Sequence, residues 1–226
     1  MAKIIFFGTP EFALPILRKI NNSKHEILTV YTQPPKKSLR GQKLNKTVIH
    51  EYSEKISLNV RIPEDLGKEE NFLKKINFDL GIVVAYGKLI PKKILQLSKH
   101  GFINIHASLL PKYRGAAPIQ RSLINRDKET GISFMKIIEK LDAGPVCKKY
   151  KIKINENENY NSLLTRLSNL GEDNVIEIIE KIIENKIEFV DQNENEVTYA
   201  KKIKKLDGKI DWNESAELIQ AKINAL

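Results

Sequence analysis

With a single cysteine, Cys147, the 226-residue sequence can close no disulfide within itself, and no nearby Cys/His cluster suggests a zinc site. That usage suits a reducing compartment and makes Cys147 a small apolar side chain. Long apolar runs are missing too. The N-terminal IIFF is broken at once by Gly8-Thr9-Pro10 and then by charge, so neither a signal peptide nor a membrane span is expected and the protein should be cytoplasmic. Arginine is scarce: only seven of the 38 basic residues are Arg, while Lys, Asn and Ile recur along the whole chain. The formal charge of +10 therefore reads largely as solvated lysine faces, and it points to a polyanion only where it clusters. There is no Gly-x-Ser-x-Gly elbow, no phosphate-binding Gly-Lys-Ser/Thr loop and no metal-ligand spacing. FGTPEF has the strand-turn-helix setting of a dinucleotide fingerprint but only one glycine, which speaks against bound NAD.

What is present is a regular exchange of short strands and helices, with enough apolar residues (41%) for a real core. KIIFFG (3–8) precedes Phe12, Ala13, Ile16, Leu17 and Ile20, spaced by threes and fours: a strand, a tight turn and a helix, with Thr9 as its cap and Pro10 in its first position. EILTVYT (26–32) completes a parallel βαβ unit. Helices follow over 48–56, 71–76, 92–97 and 118–125, and strands over 59–62, 79–87, 100–108, 130–138 and 146–154. An amphipathic helix from Leu163 to Ile183 closes an α/β domain near residue 189. The segment 190–226 is more polar and ends in a helical pattern at Ala216, Ile219, Ile223 and Leu226. The expected fold has a mostly parallel central sheet with helices on both faces.

Two stretches stand apart. QPPKKSLRGQKLNK (33–46) has two prolines, a glycine, no acidic residue and neither helical nor strand period, so it reads as an unusually basic loop. In HGFINIHAS (100–108), alternation sends Phe102, Asn104 and His106 to one face and Ile103, Ile105 and Ala107 to the other. Two polar side chains thus share the carboxyl end of a buried strand, where open α/β sheets bind ligands. A hydrogen-bonded pair tucked under a loop would account for them as well. The following SLLPKYRG offers Leu109, Leu110 and Pro111 as pocket walls. Asp142, in the LDAGP turn, would favour the charged form of a neighbouring imidazole and fix its orientation.

FFGTPEFA, VVAYGKLIP, NIHASLLPKYRGAAPIQ, LDAGP and the late TYAKKI and IDW span residues 6 to 212, and together they resemble the methionyl-tRNA formyltransferases. Asn-x-His with the Ser-Leu-Leu-Pro run is similar to the wider 10-formyltetrahydrofolate-dependent transferases, which fixes chemistry and not acceptor. FGTPEF, AAPIQ, TQP with RGQKL, and TYA with IDW point to the initiator-tRNA branch. The resemblance implies a Rossmann-like formyltransferase fold with Asn104, His106 and Asp142 as catalytic residues and folate contacts at Ser108, Leu109, Leu110 and Pro111. It implies a tRNA-directed insertion carrying Arg40, Gly41 and Lys43, with Lys36, Lys37 and Lys46 adding phosphate-directed charge, and Phe12 lining a methionine pocket. 10-Formyltetrahydrofolate would be the formyl donor and initiator methionyl-tRNA the acceptor, with no metal, no membrane and a monomeric enzyme.

In that chemistry a neutral α-amine, its pKa lowered by esterification below about 7.7–8.0, attacks the formyl carbon on N10. A protonated His106 and the Asn104 amide would stabilise the oxyanion, while Asp142 holds His106 charged and oriented and takes the amine's proton through water. Two departures stand out. Lys46-Thr47-Val48-Ile49-His50 replaces a Ser-Pro-Val-Lys-like segment, and the family's second domain, a β-barrel of ~100 residues that also grips tRNA, is expected to be absent. Weaker tRNA affinity would follow. The alternatives are formylation of a small amine, glycinamide ribonucleotide or an amino sugar, and a folate- or RNA-binding remnant without turnover.

Overall fold

The computed structural model describes residues 1–38 and 43–226. Its centre is a seven-stranded sheet in the order β10-β9-β7-β6-β1-β2-β5. The strands are β1 (Lys3–Gly8), β2 (Glu26–Tyr31), β5 (Val60–Arg61), β6 (Leu80–Val84), β7 (Phe102–His106), β9 (Glu129–Lys136) and β10 (Val146–Lys153). From β7 to β5 the neighbours are parallel, and β9 and β10 join antiparallel at one edge.

Both faces are covered, which is why β1 and β6 read as unbroken apolar runs. Ile4 and Phe6 of β1 pack into one core with α1 (Leu14–Asn21), α2 (Val48–Lys55), α5 (Pro118–Ile124) and α6 (Tyr160–Ile183). Ile5 and Phe7 pack into the other with α3 (Glu70–Ile76) and α4 (Lys92–Leu95). On α6, Leu163, Leu167, Val175, Ile178, Ile179 and Ile182 are all buried. Each contributes on the order of 1.5–3 kcal/mol of apolar transfer, so this helix alone anchors one face. Cys147 is half-buried, and burial pushes its thiol up to about 11, in keeping with an apolar role. Among the described residues no helix is long and apolar enough to cross a membrane.

Two local expectations are corrected. Thr9 caps no helix: extended Pro10 leads into a 3₁₀ turn over Glu11–Ala13 before α1, and the Thr9 hydroxyl donates to the Tyr86 carbonyl at 2.9 Å. The segment read as an unusually basic loop contains β3 (Lys36–Ser38) and β4 (Lys43–Asn45), paired antiparallel. A two-stranded ribbon away from the core needs no apolar alternation, so no period announced it. Thr32 and Thr47 hydroxyls meet at 2.7 Å at its base, where Thr47 also caps α2 through His50 N–H at 3.0 Å.

After α6 the chain meets the sheet edge only where Val190 bridges Val146, and then enters a separate two-stranded sheet. β11 (Tyr199–Ala200) pairs parallel with β8 (Arg114–Gly115), and α7 (Ala216–Ala225) packs on α5. The TYA stretch therefore lies against the segment that follows Asn104 and His106.

Candidate active site

Strand parity places Asn104 and His106 as alternation required. Ile103, Ile105 and Ala107 enter one core, Phe102 enters the other, and Asn104 and His106 continue the Phe102 side past the last covering side chains. Asp142 reaches them from the turn between β9 and β10. Asn104 Nδ2 lies 3.5 Å from Asp142 Oδ1, and His106 Nδ1 lies 3.9 Å from Asp142 Oδ2. His106 Nε2 is 2.8 Å from the Tyr113 carbonyl. A carbonyl only accepts, so Nε2 carries a proton, and Nδ1 can donate only when the ring is a cation. Asp142 is held in turn by the Gly115 N–H, which donates to Oδ2 at 2.8 Å. Gly115 has φ +118, and a Cβ there would meet the Ala200 carbonyl at 2.8 Å, so glycine is needed for β8 and β11 to lie this close.

These residues open into a cleft of about 770 Å³. One group of its walls comes from the ends of β6 and β9: Val83, Leu89, Ile90, Ile137, Ile138 and Leu141. Leu89, Ile138 and Leu141 are exposed there, an apolar rim of the kind that marks a ligand site. A second group is Pro10, Phe12, Pro118, Ile119, Tyr160 and Leu164. Phe12 is positioned by α6, whose Ser168 hydroxyl donates to the Phe12 carbonyl at 2.8 Å. Ala85 (φ +47) and Asp142 (φ +45), both at the cleft, occupy left-handed backbone that a side chain enters at a cost. A larger groove, about 970 Å³, lies beside α7 and contains none of the three polar residues.

The family model described as formyl transferase matches residues 2–179. The chain belongs to the formyl transferase family. It is 54% identical over 227 residues to the methionyl-tRNA formyltransferase of Pelagibacter ubique, covering 99% of this chain and 73% of that protein. A methionyl-tRNA formyltransferase of Thermodesulfovibrio yellowstonii is 48% identical, covering 96% and 70% of the two chains. Among solved structures, an N-formyltransferase from Helicobacter canadensis in complex with folinic acid and dTDP-3-aminofucose superposes with a TM-score of 0.75 at 22% identity, covering 100% of this chain and 80% of that one. A 4-N formyltransferase from Francisella tularensis gives 0.77 at 21%, covering 99% and 87%. At these identities the structures speak for the fold, a Rossmann-like formyltransferase sheet.

Within this formyl transferase frame, the expected site residues separate. Asn104, His106 and Asp142 come together, and Phe12 lines the same cleft. Ser108, Leu109, Leu110 and Pro111 do not wall it. Ser108, Leu110 and Pro111 are buried, and Leu109 faces the groove beside α7. Ser133 holds this run from beneath, its hydroxyl donating to the Ser108 carbonyl at 2.7 Å and accepting from Leu110 N–H at 3.0 Å. An apolar loop suits an interior as well as a pocket wall, and here the interior won. The walls missed from sequence, Leu89 and Ile90, sit beside the Gly87 and Pro91 turn signals at the carboxyl end of β6. Lys36, Lys37 and Lys43 belong to the β3–β4 ribbon, while Arg40 and Gly41 fall outside the described residues. Lys46 is not a free phosphate ligand, because its ammonium binds both Glu54 oxygens, at 2.8 and 2.6 Å.

Proposed function

We propose that this chain transfers the formyl group of 10-formyltetrahydrofolate to the α-amine of initiator methionyl-tRNA in the cytoplasm. The observation that carries the reading is the meeting of Asn104, His106 and Asp142 at one cleft, in a chain 54% identical to a methionyl-tRNA formyltransferase. The cleft's size falls in the roughly 300–1,000 Å³ range of small-molecule sites, and its Leu89, Ile90, Ile138 and Leu141 side suits the flat apolar ring of a folate.

The residues divide the work as follows. The amide of Asn104 and the Nδ1–H of cationic His106 donate to the formyl oxygen as it gains charge. Asp142 balances the imidazolium, and its carboxylate is fixed beforehand by the Gly115 amide. The amine's proton is lost through water to that carboxylate, and as the tetrahedral adduct collapses the formyl carbon–N10 bond breaks and N10 takes up a proton, through water, to leave as tetrahydrofolate. Phe12, with Pro118, Ile119 and Leu164, receives the methionyl side chain by apolar contact. Lys36, Lys37, Arg40, Gly41 and Lys43 form the insertion that meets the acceptor-stem phosphates of the tRNA.

The test is a side-by-side assay with methionyl-tRNA, glycinamide ribonucleotide and an amino-sugar nucleotide as acceptors. Formylation of methionyl-tRNA is the expected result, and transfer to a small amine alone would refute the acceptor assignment. His106→Ala should abolish most turnover while donor binding, followed by calorimetry, persists. Near-normal turnover would remove His106 from the mechanism.

A further inference from the structure

Gln192 lies beyond the stretch that the family model matches and outside every motif read from the sequence. Its carboxamide is nonetheless saturated. Oε1 accepts from Nε and Nη2 of Arg114 at 3.0 and 2.9 Å, and Nε2 donates to the main-chain carbonyls of Asp142 and Gly144 at 2.9 and 2.7 Å. A primary amide has two acceptor lone pairs and two donors, so no bonding capacity is left for solvent or for another partner.

The two ends of this bridge differ in kind. The Arg114 end is anchored: the guanidinium is fully buried, its backbone lies in β8 paired with β11, and its Nη2 also reaches Glu194 at 2.8 Å. The other end is the turn that presents Asp142. That turn needs a restraint, because Asp142 sits at φ +45 and its carboxylate must meet the Gly115 amide while staying 3.9 Å from His106 Nδ1. Glu194 braces the same turn from outside, binding Lys140 at 2.8 Å.

We propose that Gln192 is a positioning residue of the formyl-transfer site, transmitting the fixed position of Arg114 to the Asp142 backbone and so setting the carboxylate against His106. The inference rests on Asp142 acting at the reaction centre, as proposed above. Gln192→Glu tests it most sharply. It keeps an acceptor for Arg114 but turns a carboxylate oxygen against the two carbonyls, whereas Gln192→Leu removes both arms.

Both variants should lower kcat roughly ten- to a hundredfold, with KM for donor and amine held within about twofold. Hydrogen–deuterium exchange should accelerate across residues 140–145 and at the Gly115 amide. Turnover is measured with whichever amine the wild-type chain formylates, and the exchange measurement needs no substrate. A wrong acceptor assignment therefore shows in the wild type and leaves this comparison standing. Unchanged exchange in the turn overturns the proposal, as does faster exchange with wild-type kcat in a chain that Asp142→Asn impairs. A lower Tm with raised KM for both substrates and unchanged exchange would mark Gln192 as merely structural. If Asp142→Asn were itself fully active, the reading of the site would fail, and loosened exchange in Gln192→Glu would alone uphold the bridge.

Discussion

Replacing Asp142 by Asn isolates the charge of the carboxylate from its shape. Asparagine tolerates left-handed backbone better than most residues, so φ +45 at this position is retained. Its single carbonyl oxygen can still accept the Gly115 N–H, now at 2.8 Å from Oδ2. The other end of the amide then carries N–H groups, which face the Asn104 amide nitrogen donor-to-donor where Oδ1 stands at 3.5 Å. Nor is any negative charge left at the 3.9 Å that separates Oδ2 from His106 Nδ1. Two unit charges at that distance interact by about 4 kcal/mol at an effective dielectric of about 20. At about 1.36 kcal/mol per tenfold in rate, losing that support for the imidazolium lowers turnover by up to roughly a thousandfold. Steady-state formyl transfer gives kcat, and calorimetry with the donor tests whether the cleft is intact. The expected result is a fall of about 10²–10³ in kcat with donor affinity preserved. A variant within threefold of wild type would refute the assignment of Asp142 as the partner of a charged His106.

Three further outcomes follow from other parts of the molecule. Alanine at Lys36 and Lys37 should reduce the slope of log KM for methionyl-tRNA against log salt by about 0.7–0.9 per lysine and leave donor KM alone; an unchanged slope removes the ribbon from tRNA binding. Gly87→Ala places a Cβ at φ +77 and 2.4 Å from Gln33 Nε2, which now donates to the Tyr86 carbonyl at 2.9 Å. Urea denaturation should show a loss of roughly 1–3 kcal/mol, and none would contradict the strain argument. Burial holds the imidazoles of His25 and His100 below their ordinary value of 6.5, so the folded chain binds fewer protons than the unfolded one as pH falls below that value. Their stabilising effect is complete above about pH 6.5 and is lost as pH falls towards their depressed folded pKa values. Tm recorded from pH 7 to pH 5 should decline, and less steeply in His25→Gln; equal declines would discount His25.

The sheet and the polar pair were legible because each rests on a short-range rule. Continuous apolar runs in β1 and β6 announced strands buried on both faces, and the alternation in β7 put Asn104 beside His106 whatever the rest of the chain did. Asp142 carried no such local mark. It lies 38 residues from Asn104 and joins the site only through the antiparallel return of β9. The cleft walls failed for the same reason, since whether Leu89 or Leu110 faces a ligand depends on which neighbour covers it. Leu110 found Met135 and Val146 in a small core of its own, and Leu89 found nothing to cover it. Thr9 was misread because its nearest acceptor is a carbonyl 77 residues away, and a capping pattern considers only the next turn of chain.

The pairing of β8 with β11 also fixes an order of events in the making of the protein. Arg114 and Gln192 are 78 residues apart, and every strand of the central sheet has been synthesised before Gln192 emerges. The sheet can close over both hydrophobic cores while the Arg114 guanidinium still lacks the partners that make its burial tolerable. Until residues 192 to 200 arrive, Arg114 lacks Gln192, β8 lacks its paired strand, and the Gly115 amide has no fixed place from which to hold a carboxylate. The polar residues of the cleft are therefore fixed in place later than the core that carries them.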